Sequence, residues 1–255
     1  MIETLLAFKG AAVATGLGLL LVAERLAPAV PRQGGWPRIG RNAALWLVNV
    51  GFSALLVLPL TVTASQHALG WRPAGLDGWP GLLVDLVLLD FLIYWWHRAN
   101  HVVPLLWRFH EVHHRDQFLD VSSAVRFHAG EVVLSALARA LAIVLLDIDL
   151  AAVLVFEAMI LLAAGFHHSN LRLPAALEAA LARVVITPSL HWVHHHAVRA
   201  DTDSTYGTVA SFWDRLFGTA SPTPRTPGMP IGVEGKDDLP LPVLMVRPFE
   251  RAARD

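Results

Sequence analysis

Five apolar stretches, at roughly 5–23, 43–64, 81–101, 131–147 and 150–167, decide what this chain can become. Each is close to the ~20 residues that a helix needs to cross ~30 Å of hydrocarbon. A backbone in lipid must also satisfy its own hydrogen bonds, which a helix does within one segment. The whole chain is 55% hydrophobic and only 16% charged, with a mean hydropathy of +0.49. That balance sets it apart from ordinary soluble domains. The expected fold is therefore all-α: a multi-span membrane protein with four or five membrane helices. The first stretch reads as a retained span rather than a cleaved signal, because Glu3 sits where a signal peptide would be positive and the apolar run continues to about Ala23.

The loops orient these spans. Between the first two lie Arg25, Arg32, Arg38 and Arg41 against Glu24 alone, which places that loop in the cytoplasm. Loop 65–80, with His67, Arg72 and Asp77, then falls outside, and 97–129 returns to the cytoplasm beside Arg98, Arg108, Arg115 and Arg126. The last two spans form a hairpin turning at Asp147-Ile148-Asp149 and returning at His167-His168. Every cluster of histidines thus lands on one side, as a cytoplasmic helical cap. Within the hairpin, Arg139 and Glu157 stand equally far from Ile148 and are expected to pair, since a lone charge at that depth costs ~2.5–3.5 kcal/mol; the alternative is an interfacial hairpin with both side chains reaching water. The Ala-, Leu- and Arg-rich composition suggests a bacterial chain, hence an inner (plasma) membrane.

Three regions follow: N-terminal membrane helices (1–80), a histidine-rich region expected to carry the chemistry (81–219) and a Pro-rich tail (220–255). Within them, 174–186 reads as an amphipathic helix opened by Pro174. Thr187-Pro188 reads as N-cap and first residue of a short helix. Residues 197–210 read as a polar loop, and 231–255 shows no usable periodicity.

Thirteen histidines are the compositional outlier, and their spacing matters more than their number. His97 and His101 are four apart; His110, His113 and His114 form H-x-x-H-H, as do His191, His194 and His195. On a helix these spacings share a face, so each set can aim imidazoles at one point. Pro104 is expected to end one helix and start the next, letting the first two sets converge from different directions. Eight imidazoles exceed what one zinc ion uses, and the count favours two metal ions. Imidazole suits iron, zinc and copper alike. With no cysteine in the chain, disulfides, iron–sulfur clusters and thiolate zinc sites are excluded from it. A net charge of −1 argues against nucleic acid as a partner. His110-Glu111-Val112-His113-His114 also satisfies H-E-x-x-H, the zinc protease pattern, but the copy at 191–195 has Trp192 in place of the glutamate.

The chain resembles the fatty acid hydroxylase/sterol desaturase superfamily of integral-membrane di-iron oxygenases. The resemblance runs from Asp90 to Thr219 through D-F-L-I-Y-W-W-H-R-A-N-H (90–101), W-R-F-H-E-V-H-H (107–114), R-F-H-A-G-E (126–131), F-H-H-S-N (166–170), H-W-V-H-H (191–195), and Y-G with W-D-R-L-F-G-T (206–219). It implies a helical membrane fold and a non-haem di-iron oxidoreductase that hydroxylates or desaturates a lipid drawn from the bilayer. That chemistry uses dioxygen and two iron ions, for which zinc can substitute. The implied ligands are His97, His101, His110, His113, His114, His168, His191, His194 and His195, with His168 chosen over its neighbour His167. His128 is placed as a ligand, an outer partner of a ligand or a substrate contact. Asp90 lies on one helical face with Tyr94, His97 and His101, and is placed either beside the ligands or in a helix–helix hydrogen bond unrelated to metal; Asn170 is placed, with Asp90, as a metal ligand or a hydrogen-bond partner of one. His67 and His196 are placed as bystanders.

Two positions depart from the family pattern: His128-Ala129 where many relatives have His-Pro, and Thr205-Tyr206-Gly207 where they have Asn-Tyr-Gly. With no thiolate, dinucleotide loop or haem domain in the chain, electrons are expected from a separate donor protein. The alternative reading is a zinc-dependent membrane hydrolase or a non-redox metal-binding membrane protein.

Overall fold

The computed structural model describes residues 2–76 and 78–250, with side chains from Leu6 onward. Glu3, Asp77 and residues 251–255, which entered the topology and tail readings, lie outside the described side chains. The elements are α1 Ile2–Leu26, α2 Gly35–Gln66, α3 Gly78–Val102, α4 Pro104–His114, α5 Ala129–Leu146 and α6 Leu150–His168. Shorter helices follow: α7 Ala175–Leu181, α8 Pro188–His194, α9 Arg199–Thr202, α10 Phe212–Leu216 and α11 Leu241–Val246. Among the described residues there are no strands, only isolated bridges. Five of the helices (α1, α2, α3, α5 and α6) are long and apolar enough to span a membrane. The chain is an integral membrane protein of helical architecture, as the apolar stretches require.

Long apolar side chains such as Leu19, Leu47, Leu55, Leu83, Leu137 and Leu141 point outward from these helices. In water that would be an aggregation surface; against lipid it is the solvated face. The apolar interior forms where Ala64 of α2, Leu89 of α3, Ala140 and Ile143 of α5, and Val153 and Phe156 of α6 meet at the end away from the histidines. Arg139 reaches Glu157 at 2.9 Å (Nη2 to Oε1), and Lys9 of α1 bonds the same carboxylate, a partner the hairpin geometry could not have shown.

At 32 residues α2 is ~48 Å long, well beyond the hydrocarbon thickness, and it carries a π-helical turn at Ser53–Val57. Its first turns stand among the polar loops of the histidine end. There the buried Arg38 guanidinium is saturated: Nε bonds Asp116 Oδ1 (2.6 Å), Nη1 bonds Asp120 Oδ2 (2.7 Å), and Nη2 bonds Phe118 O and Ser123 Oγ (2.6 Å each). An arginine counted above only as an orientation signal is thus the clamp on the segment that follows His114. Arg126 closes a second tie, from Val112 O to Asn42 Oδ1 (2.9 and 3.0 Å).

Pro104 acts as expected. Val103 is extended (φ −95°, ψ 113°), the conformation that a residue before proline adopts, and Pro104 opens α4 where its missing N–H costs nothing. Thr187 and Pro188 likewise open α8. The stretch 174–186 differs from its reading: the helix stops at Leu181, and Ile186 N bonds Val209 O instead of continuing it. The 197–210 loop contains the α9 turn. The tail contains α11, whose Leu244 is buried against Leu45 and Val112. A six-residue helix is too short for a periodic signal.

At the opposite end from the histidines, Arg72 bonds Leu76 O, Asp85 and Asp147 O (2.8–3.1 Å) beside a cavity of about 510 Å³.

Candidate metal centre

The nine histidines singled out above are all buried, and they gather into two groups. One consists of His97, His101, His110, His114 and His194, the other of His113, His168, His191 and His195. Within each group one ring nitrogen per residue lies within 4.8 Å of all the others. The two H-x-x-H-H runs are interleaved. On α4 the i, i+4 pair His110/His114 serves the five-histidine group while His113, about 100° round the helix, turns into the other. On α8 the roles invert: His191/His195 serve the four-histidine group and His194 crosses. The groups share a wall, with His114 and His195 rings stacked at 4.2 Å.

Outer hydrogen bonds fix how the rings present themselves. His97 Nδ1 donates to Tyr206 O (2.8 Å), His194 Nδ1 to Ser204 O (2.6 Å) and His110 Nδ1 to Glu131 Oε1 (2.8 Å). In the second group His113 Nδ1 donates to Arg126 O (3.1 Å) and His168 Nδ1 to Ala164 O (2.8 Å). A carbonyl only accepts, so the ring hydrogen stands at Nδ1 and the Nε2 lone pair faces inward. His113 Nε2 and His168 Nε2 are nonetheless 3.1 Å apart, His168 and His191 3.0 Å, and His191 and His195 3.1 Å. Between His113 and His168, whose hydrogens are committed outward, that approach sets lone pair against lone pair.

A cation between them removes the conflict. Nitrogens ~2.1 Å from one metal, at octahedral to tetrahedral angles, stand about 3.0–3.4 Å apart. In the first group His110 Nε2, His194 Nε2 and both nitrogens of His101 and His114 are buried without a hydrogen-bond partner. Burying these nitrogens without partners is costly unless a ligand completes them. The donor sets fit metal ions.

Burial, then the neighbouring imidazoles, push His113, His114, His191 and His195 well below the usual histidine range, and burial pushes His194 down to about 3. All are neutral at pH 7, the state in which imidazole is a ligand.

The other placed residues sit elsewhere. His128 accepts from Gly130 N at Nδ1 (2.9 Å) and donates from Nε2 to Met245 O (3.0 Å), so it caps α5 and pins the tail, outside both groups. Asp90 accepts from Trp213 Nε1 (2.9 Å) and Ala210 N (3.3 Å), and no imidazole is among its hydrogen-bond partners. Indole N–H at the right height claimed the carboxylate first. Asn170 bonds Val30 N and O (3.1 and 2.8 Å) and Glu24 (3.0 Å), fastening the α1–α2 connection. His167 packs on His191 with ring centroids 3.9 Å apart and belongs to neither group. His67 bonds Thr63 O at the far end, and His196 bonds Asp201. Glu111 turns to Arg115 and Lys236; burial alone would raise its pKa, but these cations hold it low. It does not face the imidazole groups as a protease glutamate would face its metal.

Sequence reasoning overlooked several partners. Glu131 ends the R-F-H-A-G-E run but had been given no role; it accepts from both His110 and Asn100 (3.2 Å), and its Oε2 is buried and unpartnered. Ser204 and Tyr206 act through carbonyls, which carry no side-chain signal. Between them Thr205 adopts φ +51°, a left-handed conformation that turns both carbonyls towards the site. Asp203 Oδ1 lies 3.4 Å from His101 Nδ1, too oblique for a hydrogen bond. Gly207 donates to Asp214 Oδ2 (2.9 Å), where a Cβ would stand 2.7 Å from that oxygen.

A helical membrane bundle with two buried imidazole groups at one end is the class that fold and site define. The chain belongs to the fatty acid hydroxylase family, whose model matches residues 82–219. It is similar to ornithine lipid hydroxylase OlsE of Rhizobium tropici, 30% identical over 193 residues that cover 74% of this chain and 56% of the relative. It is also similar to the alkylglycerol monooxygenase of Homo sapiens (32% over 136 residues, 51% and 28%) and to a cholesterol 25-hydroxylase-like protein of Danio rerio (28% over 194 residues, 72% and 73%). The chain thus spans 56% of the first relative's length and 28% of the second's. No solved structure matches it.

Proposed function

We propose that this chain is a membrane-embedded oxygenase that hydroxylates a lipid, with desaturation as the variant outcome of the same hydrogen abstraction. The observation that carries the reading is the pair of buried imidazole groups, each with one ring nitrogen per residue within 4.8 Å of the others, in a chain of this family. The similar proteins named above act, by their names, on ornithine lipids, alkylglycerols and sterol-like lipids, which supports an apolar substrate that reaches the site from the bilayer.

The nine histidines would hold two iron ions, and zinc fits the same nitrogens. Bound iron supplies the activation of dioxygen needed to attack an unactivated C–H bond. The chain's own residues prepare that chemistry. Carbonyls of Tyr206, Ser204, Arg126 and Ala164 hold five-membered rings in one tautomer, and Glu131 does so for His110. Burial keeps water from the groups. Electrons come from a separate donor protein. The histidine end faces the cytoplasm, the side to which Arg25, Arg32, Arg38 and Arg41 assign it, in a bacterial inner membrane.

A non-redox zinc hydrolase is the competing reading, and Glu111, the glutamate of its H-E-x-x-H pattern, is instead engaged by Arg115 and Lys236. The test is metal analysis of anaerobically purified protein together with reductant-dependent oxygen uptake on a panel of lipids. About two irons per chain and lipid-stimulated uptake are expected. Iron-loaded protein that consumes no oxygen with any lipid would overturn the proposal.

A further inference from the structure

The chain has only two tyrosines in 255 residues, and they stand next to each other beside the five-histidine group. Tyr206 lies 5.3 Å from His101 and 6.0 Å from His97, ring centre to ring centre. Tyr94 is 6.3 Å from Tyr206, and Trp95 is 5.5 Å from Tyr94, both edge to face. These are the separations of aromatic pairs in contact. Both tyrosines are buried, whereas Trp95 is 39% exposed, so the series leads from the site to the outer face of α3.

The phenol of Tyr94 also has somewhere to send a proton. Thr219 Oγ1 donates to Asp214 Oδ1 (2.7 Å), so at 2.9 Å the Tyr94 hydroxyl is the donor and Thr219 the acceptor. A buried phenol in line with a hydroxyl and a carboxylate can lose an electron and a proton together. Phenol and indole are the side chains most easily oxidised by one electron in a chain without cysteine. Neither tyrosine hydroxyl is needed to hold an imidazole: His97 uses the Tyr206 carbonyl.

Building on the oxygenase reading, we propose that Tyr206, Tyr94 and Trp95 form a one-electron escape route that carries an unused oxidising equivalent from the five-histidine group to the protein's rim. The oxidant, made there from dioxygen and external electrons, finds no lipid C–H bond and takes one electron from Tyr94 by way of Tyr206. Tyr94 gives its phenolic proton to Thr219 as Thr219 passes its own to Asp214, which leaves a neutral tyrosyl radical. An electron from Trp95 refills Tyr94 while the proton returns along the same two hydrogen bonds. The exposed Trp95 radical cation is then reduced by the external reductant.

The test mixes iron-loaded, reduced full-length protein with dioxygen in the absence of lipid. Oxygen uptake, rapid-freeze electron paramagnetic resonance and peptide mass spectrometry of Trp95 are read on the same sample. Wild type is expected to show a tyrosyl radical and oxidised Trp95. With two tyrosines only, the signal is assignable: Tyr94→Phe removes it and lowers Trp95 oxidation several-fold. The same variant inactivates several-fold faster without lipid, while its initial rate with lipid is unchanged. Thr219→Ser keeps the radical and Thr219→Val loses it. Oxygen uptake with no tyrosyl signal, or with oxidation confined to Trp107, overturns the route and leaves the oxygenase reading standing. No oxygen uptake by iron-loaded protein with or without lipid overturns both.

Discussion

The two histidine groups are built from the same motifs yet differ in how they are enclosed. The four-histidine group is walled by backbone carbonyls, by His167 and by Phe127, whose ring stacks on His113 at 4.4 Å. The five-histidine group instead meets Trp107 (5.1 Å from His101), Tyr206 and Asp203, a carboxylate 31% exposed. His101 and His114 here, like His191 and His195 in the other group, have no hydrogen bond outside the histidines. The four-histidine group takes its outer hydrogen bonds from main chain alone. The five-histidine group takes one of its own from the Glu131 side chain and stands beside a partly exposed carboxylate.

The largest effects should come from the crossing histidines. His194→Ala and His113→Ala each remove a ligand from one group while leaving the other group's set intact. Both variants should lose activity entirely. Metal analysis should show less metal than in wild type, the larger loss falling on the five-histidine group in the first variant and on the four-histidine group in the second. Equal loss from both groups in each variant would erase the distinction.

Metal removal combined with acid comes next. His194 is lowered from 6.5 to about 3 in the folded protein, so the unfolded chain binds its proton first as pH falls. Stability of chelated protein should therefore be level above about pH 6.5 and decline from there towards pH 3, by up to about 1.4 kcal/mol per pH unit for each such group. His113, His114, His191 and His195 are lowered in the same direction and add to the slope. Thermal unfolding in detergent at several pH values measures it, and a flat profile below pH 6.5 would contradict the neutral, buried assignment.

Glu131→Gln tests the side-chain part of the contrast. The amide can present its NH₂ where His110 needs an acceptor, and outer partners of this kind are worth about 10–100-fold in metal affinity. The five-histidine group should weaken by that factor and the four-histidine group by less, as competition with a chelator would read. The smallest effect is expected at Thr205, a β-branched residue held at φ +51°. Thr205→Asn restores the residue of the family pattern, which tolerates that conformation, and should raise stability by about 1 kcal/mol. A lower unfolding temperature would mean that the Thr205 hydroxyl, which accepts from Ser221 N at 3.1 Å, outweighs the strain.

Which parts of this were readable beforehand follows from what leaves a periodic trace. The spans did, because crossing hydrocarbon needs a long apolar run. Nine histidines did, because helical spacing of a rare residue type is hard to produce by packing. Arg139 and Glu157 did, because equal distance from Ile148 fixed their depth, whereas Lys9 reaches them from a helix whose register nothing in the hairpin sets. Asp90 shared a helical face with His97 and His101, but position on a face does not say which donor arrives, and Trp213 came from 123 residues away. Main-chain acceptors such as Ser204 and Tyr206 are silent in any side-chain pattern. The division of labour inside H-x-x-H-H was equally hidden, since it depends on where α4 and α8 lie relative to each other.

That interleaving has a consequence for how the protein is loaded. Neither centre is a detachable module, because α4 and α8 each serve both. An ion that enters one group fixes the two helices and so pre-forms the other, which makes the half-filled chain the scarce species. Uptake should be cooperative, and native mass spectrometry during a metal titration should record chains with none and chains with two far more often than chains with one. Inserting or deleting a single residue in either helix would cost both centres at once.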